Sequence, residues 1–143
     1  MIASPGAICD TPSDLRPVRR KRGARVSKLL IAIVEDDDSM RPALVGLVRS
    51  LGYDGEGFGS AEAFLAGEAA KRAACLVSDF QLPGISGIDL ATRFKNLLPV
   101  IMVTARTEHG IDALAAESGV LCVLRKPFDA DDLATWIRTA LDS

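Results

Sequence analysis

A chain of 143 residues with 48% apolar side chains can bury one good core but not two, which argues for a single domain plus whatever its ends carry. Its longest uncharged apolar runs, residues 29–34 and 99–103, are far too short to span a bilayer, and no export signal is visible, so a soluble, cytoplasmic protein with no membrane contact is expected. The net charge of -2 hides an asymmetry: residues 16–28 hold seven basic side chains and no acid, whereas residues 29–143 hold ten basic against seventeen acidic.

Residues 1–27 carry Pro5, Pro12, Pro17, Gly6 and Gly23 with no helical or strand period, which predicts a disordered or loosely attached basic arm ahead of a domain over 28–143. Such an arm is either a solvated tail, the product of a start site placed too far upstream, or a contact for nucleic acid or an acidic surface. From Leu29 onward short apolar runs alternate with amphipathic stretches, the pattern of strands joined by helical crossovers in a parallel sheet.

Residues 29–34 read as a buried strand. A helix follows, capped by Asp38 or Ser39, with Pro42 in its first turn, Leu44, Leu47, Val48 and Leu51 on its apolar face and Gly52 closing it. Residues 53–58 form a weak, polar strand suited to a sheet edge, and Ser60 caps the next helix. The third strand spans 74–78. A turn at Pro83-Gly84 leads to a helix capped by Ser86, and the continuously apolar run 99–103 gives a central fourth strand. An Ala-rich helix over 108–118 ends at Gly119, the fifth strand covers 120–124, and Asp129 caps a last helix carrying Leu133, Trp136, Ile137 and Leu141. The expectation is α/β, with five strands and five helices in alternation and Trp136 packed in the core.

Cys9, Cys75 and Cys122 lie far apart in no metal-binding spacing, and the latter two read as small hydrophobes in apolar segments. His109 has no partner at ligand spacing beyond Glu108 and reads as a surface residue, so zinc and histidine-based catalysis are disfavoured.

In an open parallel sheet, ligands bind outside the carboxyl ends of the strands, near the point where strand order reverses. Here the first strand ends in Glu35-Asp36-Asp37-Asp38, the third in Asp79, the fourth in Thr104 and the fifth in Lys126. Consecutive acids repel one another unless a cation neutralises them, and hard carboxylate oxygens favour magnesium. As caps of the first helix the acids explain Asp38, but not Asp79 and Lys126 at neighbouring strand ends. An ordinary carboxylate is already ionised near neutral pH, so Asp79 needs no base to attack a phosphoryl group. A metal and Lys126 can screen the approaching negative charges, and Thr104 can donate its hydroxyl to the attached group.

At these residues the sequence resembles the receiver domains of bacterial two-component response regulators, from about residue 28 to the C-terminus. The run Ile33-Val34-Glu35-Asp36-Asp37 resembles the family's acidic pair, with Asp36 as direct metal ligand and Glu35 acting through water. Ser78-Asp79-Phe80-Gln81-Leu82-Pro83-Gly84 followed by Ser86-Gly87 is similar to the phosphoacceptor segment, with Asp79 the acceptor and the Gln81 main-chain carbonyl a further ligand. Thr104-Ala105 matches the switch hydroxyl and its small neighbour, and Lys126-Pro127-Phe128 the family lysine and its cis-proline step. The resemblance implies the flavodoxin-like receiver fold, a doubly wound five-stranded sheet in the order 2-1-3-4-5.

It also implies a magnesium-dependent single-domain switch. A histidine kinase or phosphotransfer protein phosphorylates Asp79, after which the domain changes its affinity for a downstream protein partner. Dimerisation through the face of the fourth helix, fifth strand and fifth helix goes with this. The domain is then no enzyme beyond its own phosphorylation and dephosphorylation, and direct DNA binding by the folded part is not expected. Two departures stand out: Val123 occupies the place of the family's inward-turning aromatic residue, and the segment between Gly87 and Pro99 is about three residues short. Alternatives are a receiver fold that binds partners without phosphorylation, a fragment of a longer regulator with an output domain, and a phosphohydrolase. For the last, Gln81 stands where a second, acid-base aspartate is needed.

Overall fold

The computed structural model describes residues 28–106 and 110–142. The basic arm, Cys9 and His109, together with the expected start of the fourth helix at Glu108, lie outside them. The strands are β1 (Leu30–Val34), β2 (Asp54–Phe58), β3 (Ala73–Asp79), β4 (Val100–Thr104) and β5 (Cys122–Arg125). They form one all-parallel sheet in the order β2-β1-β3-β4-β5. The helices among the described residues are α1 (Met40–Ser50), α2 (Ala61–Ala66), α3 (Ala69–Arg72), α4 (Gly87–Arg93), α5 (Ile111–Glu117) and α6 (Ala130–Asp142).

Both faces of the sheet are covered, which is why β1 and β4 are apolar at every position except Thr104 and buried throughout. Along β1 the side chains alternate between two cores. Ile31 and Ile33 pack with Leu44 and Val48 of α1 and Leu133 and Ile137 of α6. Ala32 and Val34 pack with Phe64 of α2, Leu90 of α4 and Met102 of β4. Each fully buried large aliphatic or aromatic side chain contributes roughly 1.5–3 kcal/mol relative to exposure. Trp136 is partly buried against the first core, as its helical spacing predicts, and Val123 lies against the second.

Strand limits differ from the sequence reading by one or two residues, because strand ends are set by which backbone groups still find a partner on the neighbouring strand. The second crossover is split in two, giving six helices among the described residues where five were expected. Gly67 adopts an extended backbone at the end of α2, which stops that helix before α3 begins. Ser60 and Ser86 cap α2 and α4 as anticipated, accepting hydrogen bonds from the Ala63 N–H at 3.0 Å and the Asp89 N–H at 3.1 Å.

The first helix corrects the expected cap. Neither Asp38 nor Ser39 fills that role; the Asp37 carboxylate accepts the N–H groups of Ser39 at 2.7 Å and Met40 at 2.9 Å. Ser39 is already in the helical backbone region and its side chain makes no cap bond, while Asp38 pairs with Arg41. Gly52, with φ +100°, ends α1: its N–H donates to the Arg49 carbonyl and the Tyr53 N–H to that of Val48. The left-handed Asn96 follows α4, and this helix is short, as the reduced spacing between Gly87 and Pro99 predicts. Among the described residues no helix is long and apolar enough to cross a membrane.

Candidate functional site

Strand order reverses between β1 and β3, so the residues just beyond these two strands face each other at the carboxyl edge. The parallel register continues through β4 and β5. Asp79, the last residue of β3, therefore lies between the β1 acids on one side and Thr104, the last residue of β4, on the other. Among the described residues, carboxylate oxygens of Glu35, Asp36 and Asp79 fall within 4.8 Å of one another. Glu35 is 1% exposed and Asp79 8%, whereas Asp36 is open to solvent. Asp36, Asp79, Gln81, Leu82 and Pro83 line an open depression at this edge.

Lys126 follows β5 directly, across a cis peptide to Pro127. Its ammonium donates to Glu35 Oε1 at 2.8 Å and to Asp79 Oδ2 at 3.5 Å. The other Glu35 oxygen accepts the Asp37 N–H at 3.2 Å, and Asp79 Oδ1 accepts the Gln81 N–H at 3.3 Å. Burial pushes the Glu35 carboxyl above its ordinary range, with the nearby Asp79 carboxylate acting in the same direction against the Lys126 hydrogen bond. Burial works against the Lys126 charge, but the hydrogen bond to Glu35 and the field of both acids raise its pKa. Three carboxylates against one ammonium leave the site short of positive charge.

That deficit, together with an all-oxygen donor set on three convergent carboxylates, fits a small hard dication. Thr104 is buried at 1% exposure, and its hydroxyl oxygen accepts the Arg106 N–H at 2.9 Å. The Arg106 guanidinium stands 5.8 Å from the centroid of the Phe80 ring, linking the segments after β3 and β4. Every residue the sequence placed at a strand end thus lies at this edge.

Three contributors escaped the sequence reading. Asp37 anchors α1, as described above. Arg41 donates from Nη1 to the Glu35 main-chain carbonyl at 2.9 Å. Glu62 of α2 accepts the Ile85 N–H at 3.1 Å, tethering the loop that follows the Asp79 segment. For Asp37 the sequence offers only its place in a run of three aspartates, whose identical chemistry does not single out the one that anchors the helix. For Arg41 and Glu62 nothing in local sequence points to partners on other elements.

The arrangement defines an open α/β domain with an acidic site at its strand-order reversal and a lysine facing it. The chain belongs to the response regulator receiver domain family, whose profile matches residues 31–138. It is similar to Nodulation protein W of Bradyrhizobium diazoefficiens, with 36% identity over 110 residues, 75% of this chain and 48% of that protein. Similarity to the transcriptional regulatory protein FixJ of the same organism is 35% over 114 residues, 78% of this chain and 56% of that protein. A response regulator receiver protein from Burkholderia phymatum superposes with a TM-score of 0.72 at 31% identity, covering 80% of this chain and 96% of that one. The chain spans about half the length of the curated relatives it matches.

Proposed function

We propose that this domain is a phosphorylation switch: it accepts a phosphoryl group on Asp79 from a histidine kinase or phosphotransfer protein, with magnesium, and thereby changes its binding to a protein partner. The observation that carries this is the position of Asp79, an almost buried carboxylate beside the β1 acids and within 3.5 Å of the Lys126 ammonium. A carboxylate oxygen attacks phosphorus, the bond from phosphorus to the donor's imidazole nitrogen breaks, and an acyl phosphate forms while the nitrogen takes up a proton. Asp36, Asp79 and the Gln81 main-chain carbonyl would hold the magnesium directly. Glu35, with both oxygens engaged by Lys126 and the Asp37 N–H, would act through water. The ion, when bound, neutralises phosphoryl oxygens that would otherwise be repelled by the acids.

Lys126 supplies the second positive charge, and Thr104, while its hydroxyl oxygen accepts the Arg106 N–H, still has its own O–H to donate to a phosphoryl oxygen on Asp79. The added charge then biases the loops after β3 and β4, and through them the face of α5, β5 and α6. The domain turns over no separate substrate and acts in the cytoplasm.

The test is magnesium-dependent labelling by a small phosphodonor, read as a mobility shift on a phosphate-affinity gel. Wild type should shift and Asp79→Asn should not; equal labelling of both would overturn the assignment. A receiver fold that binds its partner without phosphorylation is favoured by Val123, which packs in the second core where an aromatic switch residue would otherwise sit. Partner binding that is the same for wild type and Asp79→Asn, with and without phosphodonor, would establish that second reading.

A further inference from the structure

The Glu35 carbonyl, one residue beyond β1, is held by a side chain from α1. Arg41 Nη1 donates to it at 2.9 Å, and Nη2 of the same guanidinium donates to Asp38 Oδ1 at 2.6 Å. The Arg41 side chain is only 25% exposed. Its seat is made by Gly57 of β2 and Gly59 just beyond that strand. A Cβ on Gly57 would stand 2.9 Å from Arg41 Cγ and 3.0 Å from Val45 Cγ2, and one on Gly59 would stand 3.3 Å from Arg41 Nη1. Gly55, Gly57 and Gly59 alternate with Glu56 and Phe58 and so share one face, a bare strip on which α1 lies. Glycine inside a strand is unfavourable relative to alanine, so its repetition on one face calls for a compensating contact.

We propose that Arg41 is a positioning residue for the Glu35–Asp36 acid pair, seated by the glycine strip of β2. The inference rests on reading that pair as part of a magnesium site. The Glu35 carbonyl belongs to the peptide group that joins the two acids, so a hydrogen bond on it restrains that plane and the direction in which Asp36 leaves the chain. Charge alone demands the opposite effect. Removing a cation beside a cluster of carboxylates strengthens its attraction for a dication, whereas losing a group that orients the ligands weakens it.

The experiment is calorimetric titration of magnesium into the full chain as wild type, Arg41→Gln, Arg41→Lys, Gly57→Ala and Asp36→Asn, with unfolding midpoints recorded without magnesium. Arg41→Gln should bind magnesium about tenfold more weakly, the low end of what losing a ligand-orienting partner costs. Arg41→Lys, which offers one compact donor group to two acceptors, should fall between it and wild type. Gly57→Ala, which keeps the charge but fills the seat, should weaken binding in the same direction. Binding by Arg41→Gln as tight as or tighter than wild type, alongside its loss in Asp36→Asn, overturns the positioning role and leaves the magnesium site standing. No binding by wild type, or equal binding by Asp36→Asn, overturns both. If Arg41→Gln does not fold, Arg41→Lys and Gly57→Ala decide by the same criteria.

Discussion

Lys126 Nζ lies 2.8 Å from Glu35 Oε1, well inside the 3.5 Å that separates it from Asp79. The lysine's main partner in this state is therefore the most buried acid of the site, and its hold on Asp79 is the looser one. Removing it leaves a carboxylate at 1% exposure without its counter-charge. Loss of one member of a fully buried pair costs roughly 3–5 kcal/mol. Lys126 is 18% exposed, so Lys126→Met should cost less, on the order of 2 kcal/mol near neutral pH. Glu35 already holds its proton more tightly in the folded chain than in the unfolded one, and Lys126→Met reinforces this. A carboxyl raised on folding loses stability as pH rises from its unfolded value toward its folded one. The deficit of the variant should accordingly be smallest at about pH 4.5 and below and grow above it, as urea unfolding at several pH values will show.

Asp37 titrates in the other sense. The N–H groups of Met40 and Ser39 hold its carboxyl below the usual range. A depressed carboxyl stabilises the fold above its unfolded pKa of about 3.8 and loses that effect as pH falls through the folded value. Asp37→Ala should lower the melting temperature at pH 7, and the difference from wild type should shrink on acidification below pH 3.8. Asp37→Asn, which keeps an acceptor oxygen for the two N–H groups, should lie closer to wild type at neutral pH.

Gly87 opens α4 against the backbone of the acceptor segment, its N–H donating to the Phe80 carbonyl at 3.2 Å. A Cβ there would collide with the Asp79 carbonyl, main-chain oxygen that cannot swing aside as a flexible side chain would. Overpacking of this kind typically costs about 1–3 kcal/mol. Gly87→Ala should fall in or above that range in urea unfolding, and since the clash is with Asp79 itself, any phosphodonor labelling should slow as well. A fully stable Gly87→Ala would show that the turn relaxes freely.

Burial pushes the thiols of Cys75 and Cys122 up to about 12. Almost no thiolate is then present at pH 8, and the thiolate is the reactive form. Peptide-level mapping after iodoacetamide treatment should find both unmodified in the native protein and modified in urea. Rapid native labelling of Cys75 would contradict its placement in the first core.

The layered architecture is legible in the chain because each interior strand is an apolar run closed by a change of chemistry. Residues 29–34 give way to Glu35, residues 74–77 to Ser78 and Asp79, and residues 99–103 to Thr104. In a parallel sheet those closing residues share one edge, so the site could be assembled on paper from strand ends. The cap of α1 was not legible among three consecutive aspartates of identical chemistry, because the choice depends on which backbone position still lies outside the helical region. Nor was the meaning of the glycines in β2, which read as a weak strand until α1 is seen lying on them.

By itself, then, the sequence determines the alternation of elements, the parallel sheet and the identity of the residues at its carboxyl edge, all of which follow from local periodicity and from where each run stops. Which cation meets which acid is decided only by the tertiary structure. Lys126 and Glu35 are 91 residues apart, and β3 and β4 stand between their strands. Arg41 reaches the Glu35 carbonyl only because β2 packs bare glycines under α1. Such contacts depend on strand order and on the space left between packed layers, which no local pattern of residues encodes.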